Sequence, residues 1–230
     1  MTAQAFSFNL LFRKCFRMNR TQTNQPSMKY LTKALGLLAS SALLAGSLYG
    51  ASVNEPAPEF TLTDSNGVEH SLSDFRGQFV VLEWVNHQCP FVVKFYRPGK
   101  MQELQQTYTD QGVIWLKINS SAEGLQGHLT PELANQVIEE KGVNATAILL
   151  DHDGTVGRLY DARVTPHMYI INPEGILIYN GAIDSIRSAN SDDIARAENY
   201  VVSVLDAAMA GEPIPHQVTQ PYGCTVKYRD

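Results

Sequence analysis

The pattern of hydrophobic and polar positions predicts a chain in which strands and helices alternate. Residues 79–85 and 113–118 are nearly continuous apolar runs, which are typical of buried central strands. Pro90 suits the first turn of a helix that is predicted to reach about Gln111. A second helix is predicted over 130–141, because a threonine N-cap, a proline and an acidic residue stand at its start. This order favours parallel strands joined by right-handed crossovers.

Further strands are predicted before and after this central part. Four short segments have strand-like patterns and turn signals between them, namely 59–63, 70–72, 167–171 and 176–179. The first pair forms an N-terminal β-hairpin extension, and the second pair adds antiparallel strands to the sheet. A last helix is predicted over 191–210, and 211–230 is predicted to be an extended tail rich in proline. The fold class is therefore α/β, with a central mixed sheet flanked by helices.

The first fifty residues have the pattern of an export signal. The basic segment 28–33 precedes the apolar segment 34–47, which is too short to span a bilayer comfortably. Small residues allow cleavage between Ser47 and Ser52, so 28–51 is predicted to be a signal peptide. Residues 1–27 are interpreted as an upstream extension, with a longer basic region or a mitochondrial presequence as the alternatives. We expect an exported, periplasmic protein without a stable membrane anchor after cleavage.

The charge of the remaining chain excludes a nucleic-acid partner. The whole sequence has 18 basic and 23 acidic residues, but residues 1–51 hold six of the bases and none of the acids. Binding to phosphates requires an excess of lysine and arginine, which the acidic body lacks. The mature chain from residue 52 keeps two of the three cysteines, Cys89 and Cys224, in a compartment where disulfides form.

Cys89 is the main candidate for chemistry. It follows the predicted buried strand 79–85 and directly precedes Pro90, at the end of the sheet where α/β proteins place their sites. A helix N-terminus favours the thiolate, which is the reactive form of cysteine. The polar segment 86–88 predicts partial exposure. The alternative is a buried, unreactive core cysteine.

Two segments carry a family resemblance. Residues 82–94, Leu-Glu-Trp-Val-Asn-His-Gln-Cys-Pro-Phe-Val-Val-Lys, resemble the active-site strand, loop and helix of thioredoxin-like proteins. Residues 165–175 resemble their cis-proline loop. Residues 112–121 and 222–228 are similar to the peroxiredoxin-like redoxin branch, which groups with alkyl hydroperoxide reductase and thiol-specific antioxidant proteins. The resemblance implies a thioredoxin fold in a redoxin domain over 52–210, followed by a tail over 211–230.

The sequence also departs from both parent mechanisms. Thioredoxins use Cys-x-x-Cys, in which the second thiol releases the mixed disulfide, but Val92 stands at that position here. Peroxiredoxins have proline and threonine where this chain has Leu82 and Asn86. The local dithiol is therefore absent, and so is the usual threonine of the peroxide site.

The resemblance implies roles for two further residues. Glu83 lies six residues before Cys89, where thioredoxins have a buried acid that shuttles a proton, and a solvent-facing carboxylate is the alternative. Pro166 corresponds to the cis-proline, and a cis bond there would hold its backbone beside Cys89. His87 and His167 together with Cys89 would suit a copper carrier, although a surface or supporting role is favoured for both histidines.

Cys224 offers a replacement for the missing second thiol. Its segment Pro221-Tyr-Gly-Cys224 has the composition of a flexible tail, which could fold back to Cys89. A static disulfide and a free thiol remain alternatives, because sequence does not give the Cα separation. The leading hypothesis is a peroxiredoxin-like thiol oxidoreductase that reduces a hydroperoxide or a protein disulfide and is regenerated by an external thiol. No cofactor is expected. A metal carrier and a redox-inactive binding module are the alternatives.

Overall fold

The computed structural model describes residues 50–230. The predicted extension 1–27 and nearly all of the predicted signal peptide 28–51 lie outside this part of the chain. Within 50–230, no helix is both long and apolar enough to cross a membrane.

The described residues form nine strands and five α-helices. In chain order they are β1 (Thr61–Asp64), β2 (Glu69–Ser71), β3 (Val80–Trp84), α1 (Pro90–Tyr96), α2 (Lys100–Thr109), β4 (Ile114–Asn119), α3 (Pro131–Lys141), β5 (Ala147–Leu150), α4 (Thr155–Leu159), β6 (Val164–Thr165), β7 (His167–Ile171), β8 (Leu177–Gly181), α5 (Tyr200–Ala210) and β9 (Cys224–Thr225). Two 3-10 helices, Leu72–Phe75 and Ser191–Arg196, complete the set.

Seven strands form one mixed sheet in the order β2-β1-β5-β4-β3-β7-β8. β3, β4 and β5 are parallel, whereas both hairpins add antiparallel strands at the edges. The predicted α/β class, the central mixed sheet and the N-terminal hairpin are thereby confirmed. β6 and β9 form a separate antiparallel pair, which joins the tail to the segment before Pro166.

The central strands β3, β4 and β7 are buried on both faces of the sheet, as continuous apolar strands predict. Along β3, Val81 and Val85 face a core formed with α1, α2 and α5, whereas Leu82 and Trp84 face a second core on the other side. Glu83 shares the face of Val81, so its carboxylate enters the first core. This two-sided burial fixes the register of β3 and therefore the position at which the chain leaves the sheet toward Cys89.

The helix predicted from Pro90 to Gln111 is wrong as a single element. It is two helices, α1 and α2, separated at Pro98 and Gly99. Pro98 has no N–H to continue the backbone hydrogen bonds of the helix, and Gly99 adopts a left-handed conformation with φ of 79°. The break turns α2 back along the sheet, where Gln105 reaches the buried Glu83.

The helix predicted over 191–210 is also interrupted. After the 3-10 helix the chain becomes extended at Ala197, and the Asn199 side chain then caps α5 by accepting a hydrogen bond from Val202 N. Asp184 and Asn199 pair across this break in an isolated bridge. A turn at His152 and Asp153 leads into the short helix α4.

A buried ion pair fastens the tail to the helical layer. Lys94 of α1 and Asp184 are both buried, with Nζ 2.7 Å from Oδ2. The hydroxyl of Tyr222 donates to Asp184 and lies 3.2 Å from Lys94 Nζ, and the Tyr222 ring packs edge-on against Phe91. These contacts hold the tail two residues before Cys224.

We expect Lys94→Met to lower the free energy of unfolding by about 3–5 kcal/mol, because Asp184 would remain as a buried, uncompensated charge. Urea unfolding followed by circular dichroism measures the change. Lys100→Met is the matched control, since Lys100 pairs with Glu103 on the exposed surface of α2 and should matter far less. If both variants lost the same free energy of unfolding, the Lys94–Asp184 pair would not be the buried ion pair described here.

Candidate active site

Cys89 is the N-cap residue of α1. Its extended backbone, with φ of −71° and ψ of 125°, ends the loop after β3, and Pro90 begins the helix without needing an N–H partner. The Cys89 carbonyl accepts from Val92 N and Val93 N, while its own N–H donates to Asn86 O. The predicted placement of Cys89 at a helix N-terminus is thus confirmed.

The predicted partial exposure of Cys89 is wrong. The residue is fully buried, with no exposed surface, and its Sγ donates to the Thr165 carbonyl at 3.1 Å. The loop before it is polar as the sequence indicates, but Asn86 is itself buried and uses its amide to bind Gln126 O and Gln88 N. Long-range contacts from the tail and from Thr165 cover the thiol, and no local pattern reports them.

The peptide bond between Thr165 and Pro166 is cis. Thr165 belongs to β6, and its antiparallel partner is Cys224 of β9. The neighbouring pair is Val164 with Thr225, and the ladder continues where Val226 N donates to Arg163 O. The structure therefore brings Cys89, Cys224 and Pro166 together around the Thr165 backbone.

The tail approaches Thr165 closely because residue 223 is glycine. A Cβ atom added to Gly223 would lie 2.0 Å from the Thr165 carbonyl oxygen, and φ is 150°. On the far side of β9, the Tyr228 hydroxyl donates to Ala162 O, and its ring fills the space beside Gly154 and Gly157. Close packing at Gly223 and at Tyr228 thus holds the chain on both sides of Cys224.

The two thiols have opposite ionisation preferences. Burial disfavours the Cys89 thiolate, but hydrogen bonds from the side chain of Cys224, from Thr165 and from the backbone outweigh burial and lower the pKa of Cys89. Burial, the hydrogen bond to Cys89 and repulsion from its charge raise the pKa of Cys224 to about 11. In this geometry Cys89 ionises first, and Cys224 stays protonated.

Glu83 is fully buried, so the solvent-facing alternative is wrong. Its carboxylate accepts hydrogen bonds from Trp115 Nε1 at 2.9 Å, from Gln105 Nε2 at 3.1 Å and from Tyr96. Lys117, also buried, donates to the same Tyr96 hydroxyl at 2.6 Å. Among the described residues, neither cysteine hydrogen-bonds to Glu83, so the acid supports the floor of the site rather than touching the thiols.

The two candidate histidines lie in different environments. His167 is buried, with Nε2 bound to Asn180 Oδ1 at 2.8 Å, and burial lowers its pKa to about 4. His87 lines a cavity next to α1. No group of three His, Cys, Asp or Glu side chains within 50–230 is arranged to hold a metal ion.

Sequence reasoning missed the groups that fix the site from a distance. Lys94 and Lys117 stand in apolar patterns, where a lysine is normally a surface residue, and both are buried. The signal for Lys117 was its position inside the continuous run 113–118, which leaves a charged side chain no route to water. No local sequence pattern identifies Asp184 and Tyr222 as the partners of Lys94.

Solved structures share this architecture. The chain matches an uncharacterised conserved protein from Geobacillus kaustophilus with a TM-score of 0.66 and 28% identity, covering 77% of this chain and 93% of that one. A hypothetical protein from Sinorhizobium meliloti 1021 matches with a TM-score of 0.65 and 22% identity, covering 79% and 97%, which shows the fold alone. With a cysteine beside a cis-proline on a mixed sheet, the chain is a thioredoxin-fold thiol oxidoreductase.

Sequence comparison assigns the chain to a particular family within this fold. Residues 53–180, more than half of the chain, match the family described as AhpC/TSA, and the chain belongs to that family. Among curated relatives, the thiol-disulfide oxidoreductase ResA of Bacillus subtilis (strain 168) is 30% identical over 145 residues, which are 63% of this chain and 75% of ResA. ResA of Geobacillus kaustophilus (strain HTA426) is 30% identical over 123 residues, 54% of this chain and 65% of its own.

We expect the Cys224 thiol to be one cause of the low Cys89 pKa. Ultraviolet absorbance of the thiolate against pH should give a Cys89 midpoint below the ordinary value of about 8.5. Cys224→Ala should raise this midpoint, because the hydrogen-bond donor to the thiolate is lost, whereas Cys224→Ser keeps a donor and should raise it less.

These titrations need a Cys15→Ser background, so that Cys15 adds no signal. The thiolate of Cys89 must disappear on Cys89→Ser, which assigns the low midpoint to that residue. A midpoint that stays unchanged in Cys224→Ala would show that Cys224 does not stabilise the thiolate.

Proposed function

We propose that this thiol oxidoreductase is an exported, peroxiredoxin-like enzyme in which Cys89 attacks a hydroperoxide and Cys224 resolves the product. The observation that carries the proposal is the β6–β9 pairing, which sets Cys224 opposite Thr165 while the Cys89 thiol hydrogen-bonds to the Thr165 carbonyl. Both thiols are free in this structure, so the pair stands ready to be oxidised. Export is supported by the sequence pattern of 28–51.

The first step is oxidation of Cys89. Its thiolate attacks one oxygen of the hydroperoxide, the O–O bond breaks, and Cys89 becomes a sulfenic acid while an alkoxide leaves. The alkoxide takes a proton and becomes an alcohol, or water if the substrate is hydrogen peroxide. The lowered pKa of Cys89 supplies the thiolate for this attack.

The second step joins the two cysteines. The Cys224 sulfur attacks the sulfenic sulfur, its proton leaves with the hydroxide as water, and a Cys89–Cys224 disulfide forms. An external dithiol then reduces this disulfide by exchange and is itself oxidised. Because Val92 excludes a local resolving thiol, the second sulfur has to come from the tail.

Pro166 and Glu83 are assigned positioning roles. The cis bond before Pro166 presents the Thr165 backbone to both the Cys89 thiol and β9. Glu83 holds Trp115, Gln105 and Tyr96 in the core that packs beneath the start of α1. Neither residue takes part in a bond-making step.

Disulfide exchange with a protein substrate is the second candidate function. The curated relatives are named thiol-disulfide oxidoreductases, and the same pair of thiols would accept electrons through a mixed disulfide on Cys89. The copper-carrier alternative has less support, because His167 is occupied by Asn180 and the described residues offer no three-ligand group. The placement of both cysteines at the Thr165 backbone also argues against a binding module without turnover.

We expect one equivalent of hydrogen peroxide to convert the reduced protein to an intramolecular Cys89–Cys224 disulfide, seen as a cross-linked peptide by mass spectrometry. Cys224→Ser should instead accumulate sulfenic acid at Cys89, which dimedone traps, and then sulfinic acid. The Cys15→Ser protein serves as the control, because it keeps both reacting thiols.

The same variants separate the two candidate functions. If an oxidised protein substrate, rather than peroxide, drives disulfide formation, Cys224→Ser will trap a mixed disulfide on Cys89 and form no sulfenic acid at low peroxide. Wild-type protein that yields sulfinic acid and no 89–224 peptide would contradict the resolving role of Cys224.

A further inference from the structure

A cavity of about 430 Å³ lies beside the active-site helix but apart from both cysteines. Its wall runs from His87 in the loop before Cys89, along Val92 and Arg97, to Lys117 of β4 and Lys141 at the end of α3. No residue of the tail takes part in the wall. Its volume falls within the range of about 300–1,000 Å³ that is typical of small-molecule sites.

Three residues of this wall carry polar atoms whose hydrogen-bonding capacity the described protein leaves wholly or partly unused. His87 Nδ1 and Gln102 Oε1 are buried, and neither makes a hydrogen bond within 50–230. Lys117 is only 2% exposed, and its ammonium group, which has three donors, makes one hydrogen bond, to the Tyr96 hydroxyl. Buried polar groups in folded proteins are normally satisfied, so such a set indicates a place for a ligand atom.

The charge of the wall selects an anion. Arg97, Lys117 and Lys141 contribute three cationic groups against one carboxylate, Glu140, which already accepts a hydrogen bond from Gln136 at 2.7 Å. No ion pair within the described chain involves Arg97 or Lys141. The cavity wall therefore has a net positive charge, although the chain as a whole has a net negative charge.

The field of this wall also acts on His87. Burial lowers the pKa of His87, and the charges of Lys117 and Lys141 lower it further. The imidazole is therefore neutral at pH 7 and has one N–H to donate, and a ligand acceptor at Nδ1 would fix the tautomer with the proton there. Burial lowers the pKa of the Lys117 ammonium group, and the charge of Glu83 behind it opposes that shift.

The remaining wall is apolar. Val85, Val92, Val93 and Val137 cover the sides between the polar groups. Four valines would gain nothing from a fully hydrated inorganic ion, but they would pack against a short aliphatic chain. We propose that this cavity binds a small organic carboxylate, with its anionic end at His87, Lys117 and Lys141 and its apolar end against the valines.

The proposal is tested with butyrate as the probe, on the full reduced chain, by following the His87 imidazole in NMR titrations. Bound butyrate should raise the pKa of His87, because its negative charge offsets the lysine charges. Lys141→Ala should weaken binding roughly tenfold or more, as expected when one charge-assisted hydrogen bond is removed. Glu140→Gln should strengthen it, because a like charge is removed from the wall.

Two controls make the result specific. Lys100→Ala removes an exposed lysine of α2 outside the cavity and should leave butyrate affinity unchanged. Butyramide has the same shape without the charge and should bind at least tenfold more weakly than butyrate. Because Lys141 and Glu140 are on the surface of α3, both variants should fold, as circular dichroism will verify.

Three outcomes would overturn the proposal. Butyrate binding that neither Lys141→Ala nor Glu140→Gln changes would place the butyrate elsewhere on the protein. Equal binding of butyramide would show an apolar cleft without anion selection. Inorganic phosphate that binds as tightly as butyrate would show an anion site in which the valines play no part.

Discussion

The pairing between Thr165 and Cys224 is the contact on which the rest of the site depends. One ladder of two residues on each strand connects a tail cysteine to the backbone that already holds the Cys89 thiol. The cost in chain entropy of bringing residues so distant in sequence together is met by folding and not by the redox step. The glycine at 223 allows the close approach, and the buried Lys94–Asp184 pair with Tyr222 keeps the tail in register.

This arrangement explains how the chain dispenses with Cys-x-x-Cys. In a local dithiol both sulfurs belong to one helical turn, whereas here the second sulfur belongs to a strand that covers the first. The same cover leaves Cys89 without exposed surface in the reduced state. Hydrogen bonding between the thiols supports ionisation of Cys89 despite its burial, and so reactivity and protection come from the same contact.

The sequence was informative where function depends on local pattern. The apolar run of β3, the position of Cys89 before Pro90 and the hairpins at both ends all follow from periodicity and turn residues. The cis bond at Pro166 followed from family resemblance alone. Pro98-Gly99 is a local signal for the interruption of the first helix, although the prediction extends one helix through it to Gln111. Burial of Cys89 and the fixation of Lys94 by Asp184 and Tyr222 depend on contacts between distant segments, which no local pattern encodes.

The account is tested most directly by equilibrating the full chain with defined mixtures of reduced and oxidised glutathione and quantifying the cysteine-containing peptides. A Cys89–Cys224 redox pair predicts one reversible transition with the slope of a two-electron couple, in which the 89–224 cross-linked peptide replaces both free thiols together. If Cys89 instead accumulates as a glutathione mixed disulfide while Cys224 remains free, the two cysteines do not act as a pair, and the central claim is wrong.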